Sequence, residues 1–255
     1  MPALLTWRLW RALRYPDELH PLYQRMQAQP ISFPGLRLLF PLNRIIGYLL
    51  PALVVVAPVV LVLASNLLGA VVAFNIMSTI QRERDQRTYD LLALTPMGLG
   101  KANWLIAAAC AHRLDAVDRL ASLRSLALIT LSLLMLYFAS SGVFPALTLL
   151  VIFLALNLDA IQSLIVGCLS GMLAQVFREQ GAPYAALAIF VFAQIIAVYL
   201  PITGAAILLY GALRRSVEDN WLGNSLIVLA ALALLFALRE AIIQIMWRTL
   251  ERRLL

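Results

Sequence analysis

Residues 45–80 read IIGYLLPALVVVAPVVLVLASNLLGAVVAFNIMSTI, 36 positions without a charged side chain, and QRERDQRTYDLLALTP follows directly at 81–96. A bilayer core of ~30 Å asks for about 20 consecutive apolar residues, so an uncharged run of this length reads as membrane-embedded. One straight helix over it would extend about 54 Å at 1.5 Å per residue, well beyond the hydrocarbon. The sequence therefore predicts a hairpin of two spans, about 36–57 and 58–81, turning near Ala57-Pro58 or at Ser65-Asn66. Charge points the same way. The arginine-rich N-terminal region and the arginine-rich stretch 82–124 should both be cytoplasmic, and an even number of crossings between them achieves that.

The rest of the chain repeats the signature. Hydrophobic residues make up 62% of the 255 and charged residues 13%, where soluble domains carry roughly 25% charged residues. The mean hydropathy is +0.87. Further spans are expected at about 120–140, 145–177, 182–200 and 222–246; the long 145–177 span should tilt, bend near Gly167 or Gly171, or project into the cytoplasm. A short apolar piece at 202–213, after Pro201 and Gly204, is expected as a re-entrant segment. The fold class is thus all-α and polytopic, with about six transmembrane helices in domain 36–255 and an interfacial helix with its linker in 1–35. Ala102–Ala111 is apolar for too few residues to cross, so the cytoplasmic loop 82–124 is read as short surface helices.

The net charge of +7 does not indicate nucleic acid, because the basic residues cluster at the ends of apolar runs, as the positive-inside rule expects. Both termini are expected in the cytoplasm, and the plasma (bacterial inner) membrane is the expected location. At the N-terminus Arg8, Arg11 and Arg14 recur every third residue, with Trp7 and Trp10 largely opposite. That pattern predicts a helix in the headgroup plane, its arginines towards anionic membrane lipid. Trp221 and Trp247 are read as markers of the two interfaces.

Few residues suggest chemistry. Cys110 and Cys168 stand apart without a CxxC or histidine partner, so no metal site or disulfide framework is indicated. Gly98-Leu99-Gly100-Lys101 lacks the leading glycine and the following Ser or Thr of a phosphate loop. Catalysis and cofactors are not expected. The intramembrane polar positions are Asn157, Asp159, Gln162 and Arg239. An acid at such depth costs at least ~2.5 kcal/mol on insertion scales. Asp159 therefore serves either as a polar point on a transport path or proton site, or in an ion pair with Arg239, Arg44 or another cation. Asn75, Gln175, Gln194 and Gln244 are expected as interhelical hydrogen-bond partners.

The block at 81–96 is the most informative polar stretch: a charged, helix-favouring run directly after a span, an apolar turn, then Thr95-Pro96. It resembles the cytoplasmic segment of permease subunits of ABC-2 type ATP-binding-cassette exporters. The matching positions are Arg82, Glu83, Arg84, Thr88, Asp90, Leu91, Leu92, Thr95 and Pro96; Arg87 stands where the family has glycine. A further departure is the stretch of about 28 residues between Thr-Pro and the next span. The resemblance implies a coupling segment docking on a separate cytoplasmic ATP-binding subunit through Glu83, Arg84, Thr88, Tyr89, Leu91, Leu92, Thr95 and Pro96. It also implies a second permease copy or homologue. The alternative expectation is a non-catalytic structural subunit of a larger membrane complex, respiratory or photosynthetic.

Overall fold

The structure, a computed structural model, describes residues 4–28, 50–86, 88–89, 98–138, 143–177, 181–201, 203–204 and 221–254. Every regular element among them is helical. The helices are α1 (Leu5–Arg14), α2 (Pro21–Ala28), α3 (Leu50–Asp85), α4 (Gly98–Arg113), α5 (Ala116–Phe138) and α6 (Val143–Leu173). A 3-10 turn (Ala174–Val176), α7 (Ala182–Val191), a π-helical stretch (Phe192–Tyr199) and α8 (Trp221–Leu254) complete the order.

Among the described residues three helices are long and apolar enough to cross a membrane: Val60–Asp85, Leu150–Val176 and Leu229–Arg252. The expected six are therefore not reproduced. Helices also cover most of the ranges read as spans 120–140 and 182–200, whereas 36–49 and nearly all of the re-entrant piece 202–213 lie outside the described residues. The hairpin expected inside 45–80 is corrected. α3 runs unbroken through Pro58 and through Ser65-Asn66. Ser65 Oγ and Asn66 Nδ2 both donate to the Val62 carbonyl, at 3.0 and 2.8 Å. Their polarity is spent inside the helix and against a neighbour, so it marks no turn.

α3 and α6 form the centre, and what lets them meet is a pair of matched stripes. Ser65, Gly69 and Ala73 recur every fourth residue on α3, and Ser163, Gly167 and Gly171 do so on α6. A Cβ added at Gly167 would stand 2.3 Å from the Gly69 carbonyl oxygen; one at Gly171 would stand 2.8 Å from that of Ala73. Backbone thus lies against backbone, the small-residue packing that lipid favours where no hydrophobic drive exists between helices. Gly167 and Gly171, which the sequence offered as one place for a bend beside a tilt or a projection into the cytoplasm, provide this approach, and the helix continues through both.

α4 departs from the expected surface helix. Ile106 to Ala111 are fully buried among α2, α3, α5 and α6, because an alanine-rich helix is thin enough to be surrounded. Arg113 Nη1 donates to the Met26 carbonyl at 3.1 Å, and His112 Nε2 lies 2.9 Å from the Leu13 carbonyl. Trp247 of α8 meets Trp104 of α4 edge to face at 6.0 Å. The N-terminal helices, the end of α3 and the end of α8 therefore gather at one end of the bundle, as the charge distribution asked.

Gly167→Val should abolish a monodisperse peak in detergent size-exclusion chromatography, because the new methyls have only Gly69 backbone to occupy. Gly181→Ala, where an added Cβ meets nothing within 4 Å, should elute like the parent chain; equal behaviour of the two variants would contradict the packing.

Candidate functional site: a polar core and a knot at the end of the bundle

Four elements bring polar side chains to one place inside the apolar bundle. α6 supplies Asp159 and Ser163, α3 Asn66, α8 Arg239, and the π-helical stretch Gln194 and Tyr199. Arg239 is fully buried and Asp159 only 2% exposed, with Arg239 Nη2 2.8 Å from Asp159 Oδ1. Arg239 Nη1 also donates to the Asp159 backbone carbonyl at 3.1 Å. Of the alternatives open in the sequence, the ion pair with Arg239 is the one formed.

The remaining groups make a chain of hydrogen bonds with one direction. Gln194 Nε2 donates to Ser163 Oγ at 3.0 Å, and Ser163 Oγ donates to Asn66 Oδ1 at 3.1 Å. Asn66 Nδ2 donates to the Tyr199 hydroxyl at 2.9 Å, which donates to Asp159 Oδ2 at 3.3 Å. The hydroxyl also accepts from Arg239 Nη2 at 2.7 Å, so its single proton and both lone pairs are engaged. Bonds aligned this way polarise one another in a low-dielectric interior, and the series ends on the carboxylate.

The π-helical stretch makes the chain possible. Five residues apart in an α-helix are about 140° apart around the axis at 3.6 residues per turn. Where the ring closes from i to i+5 they stack instead, which puts Gln194 and Tyr199 on one face. Tyr199, Asn66 and Ser163 were not among the residues picked from the sequence. No α-helical period links Gln194 to Tyr199, although the spacing of Asp159 and Ser163 on α6 was a usable signal.

Around this core the other expected polar positions are occupied. Asn157 Oδ1 accepts from Arg124 Nε at 2.9 Å, and Gln162 Nε2 reaches Thr6 Oγ1 at 3.5 Å. The first turn of α1 is held by a carboxylate from the far end of the sequence. The Leu5 amide donates to Glu240 Oε1 at 2.9 Å, and the Thr6 hydroxyl bonds Glu240 Oε2. A carboxylate on free amides at a helix start is the favourable polarity. Asn75 is corrected from an interhelical partner: its Nδ2 donates to Val71 of its own helix. Gln244 is exposed.

The second site is the end of α3. Glu83, expected as a partner contact, is fully buried and pairs with Arg25 of α2 at 2.9 Å. It also takes the Thr88 hydroxyl, while the Thr88 amide donates to the Glu83 carbonyl at 3.0 Å. Arg84 Nη1 donates to the Gln175 carbonyl at 2.8 Å and lies over the Tyr89 ring at 5.0 Å. The buried Tyr89 hydroxyl sits 2.7 Å from Gln175 Oε1, to which Asn103 Nδ2 donates at 3.1 Å. Glu83, Arg84 and Tyr89 therefore tie α2, α3, α4 and the turn after α6 together, and Glu83 and Tyr89 are buried. Asp85 and Gln86 are exposed; Leu91, Leu92, Thr95 and Pro96 lie outside the described residues.

The tryptophans divide. Trp10 is buried against the protein while Trp7 is 57% exposed, on the same side of α1 as Arg11 and Arg14. The expectation of tryptophans opposite arginines is corrected: the apolar face of α1 is used by the protein. Trp247 is half-buried and donates to Glu251 Oε1 at 2.6 Å. Trp221 opens α8, and its side chain is outside the description.

Among the described residues no cluster of metal-ligating side chains occurs. Comparison with known proteins returns nothing: no family model matches, and no curated protein or solved structure gives a significant match.

Two outcomes follow from these contacts. Arg239→Met and Asp159→Leu alone should each cost about 3–5 kcal/mol, since each strands a buried charge, whereas the double variant should recover much of that loss. Thermal unfolding in detergent measures the cycle, and additive losses would contradict it. Burial also pushes the Cys110 thiol up, with Arg113 opposing, and both cysteines are buried. At pH 8 N-ethylmaleimide should label neither in the folded protein and both after denaturation, as counted by intact mass.

Proposed function

We propose that the chain is the membrane-spanning permease subunit of an ATP-driven exporter of the ABC-2 type, working with a separate cytoplasmic ATPase and a second permease copy or homologue. The observation that carries the reading is the knot at the end of α3. A partner that displaces the segment after Asp85 pulls on α4 and on the turn that follows α6, because Tyr89 fastens that segment to Asn103 and Gln175, and Arg84 ties the end of α3 to the same turn. Glu83, Arg84, Thr88 and Tyr89 then act as anchors that stiffen the segment. Of the described residues, Asp85 and Gln86 are the exposed ones beside these anchors and are read as contacting the partner.

Movement there reaches the polar core through α3 and α6, which pack too closely to slide past one another unnoticed. The core sits beside a π-helical stretch, a device found at functional positions in other helices. ATP binding would shift the assembly only through contacts that differ between the nucleotide-bound and free partner. The chain supplies no nucleotide site in this scheme. The gathering of positive residues at the shared end of the bundle supports reading that end as cytoplasmic in a bacterial inner membrane.

A second reading is a structural subunit of a larger membrane complex. It is favoured by the state of Asp159, whose carboxylate is taken up by Arg239 and Tyr199 within an apolar surround. The two readings part on purification of the tagged chain from its native membrane in a mild detergent. The permease reading expects an ATP-hydrolysing subunit that is lost on Asp85→Arg/Gln86→Glu substitution while the fold is kept. An assembly without nucleotide hydrolysis, carrying cofactor-bearing chains instead, would replace it with the second.

A further inference from the structure

Beside the polar core, and sharing Asp159 with it, α6 and α8 leave between them a groove of about 340 Å³. Leu154, Leu158, Leu232 and Phe236 wall it, and Asp159 and Gln162 form its polar end. Leu154 and Leu158 are also exposed, so the groove opens on the face that meets hydrocarbon. At the polar end Gln162 reaches Thr6, where α1 begins. From there α1 leads away towards His112, presenting Trp7, Arg8, Arg11 and Arg14 outward. Among the described residues no carboxylate pairs with Arg8, Arg11 or Arg14.

We propose that this groove holds one acyl chain of an anionic phospholipid, whose phosphate rests on Arg8 and Arg11. An apolar slot ending at a polar floor, with exposed arginines, unpaired among the described residues, on the helix that begins at that floor, matches the order tail, glycerol, phosphate. The volume lies at the low end of ligand pockets, enough for part of one chain and too small for a whole lipid. Because the apolar face of α1 is spent on α4, α6 and α8, its outer face has only charge and Trp7 to offer, which suits a headgroup. The headgroup must carry net negative charge to be preferred, since a zwitterionic one brings its own cation to the phosphate. This inference does not rest on the partner proposed above.

Native mass spectrometry of the full-length protein in mild detergent tests it, with phosphatidylglycerol and phosphatidylcholine of equal chain length as probes. One phosphatidylglycerol should be retained at least fivefold better than phosphatidylcholine. Ala233→Phe and, from the opposite wall, Leu154→Trp should each abolish retention at unchanged elution volume; both positions are exposed, so the fold tolerates them. Arg8→Gln/Arg11→Gln should reduce phosphatidylglycerol to the phosphatidylcholine level. Retention unaffected by either filling variant would overturn the site. So would competition by glycerol phosphate alone, which would mean a surface anion site, or conversion of a dimer to a monomer by Ala233→Phe, which would mean that a second copy covers the groove.

Discussion

Arg239 and Asp159 meet where neither could stand alone. A lone charge taken from water into an apolar interior costs several kcal/mol even after relaxation, so each residue is tolerable only if the other is held within contact. That requirement fixes the relation of α8 to α6. Tyr199 and Asn66, which complete the coordination, extend it to the π-helical stretch and to α3. Helices in lipid gain little from burying apolar surface against each other. A directional polar contact and close backbone packing must therefore set their register, and both are present on the α3–α6 pair.

The same logic organises the end of the bundle. Glu83 is as buried as Arg239, and its partner Arg25 comes from a helix 58 positions earlier. Glu240 is paired with the first amides of α1, 235 positions away. Charged residues that would ordinarily mark solvent are here the fasteners between distant parts of the chain. The basic residues on the outer face of α1 take no part in these pairs and stay exposed.

How much of this was legible follows from what each pattern needs. The helical class, the membrane character and the meeting of the N-terminal region with the 82–124 stretch rest on composition and charge, which a sequence displays directly. For Asp159 the sequence offered Arg239 only as one of several partners, because it shows that a buried acid needs a cation and not which one is near. The hairpin expected within 45–80 failed because Pro58 and Ser65-Asn66 read as breakers, whereas lipid leaves the backbone little choice but to stay helical. Glu83 and Tyr89 read as exposed because charge and hydroxyl groups usually are; only tertiary pairing shows otherwise. Gln194 and Tyr199 could not be joined by any α-helical period. The small-residue stripes of α3 and α6 were present at spacing four throughout, and reading them against each other would have found that interface.

The central claim is that displacement at the end of α3 is felt at the polar core. Spin labels at Gln86 and Leu200, both exposed, with the native cysteines buried out of reach, would report the distance between these regions by double electron–electron resonance in the native assembly. The account predicts two distance populations whose ratio changes when ATP is added with hydrolysis blocked. A single distribution, identical with and without nucleotide, would contradict it.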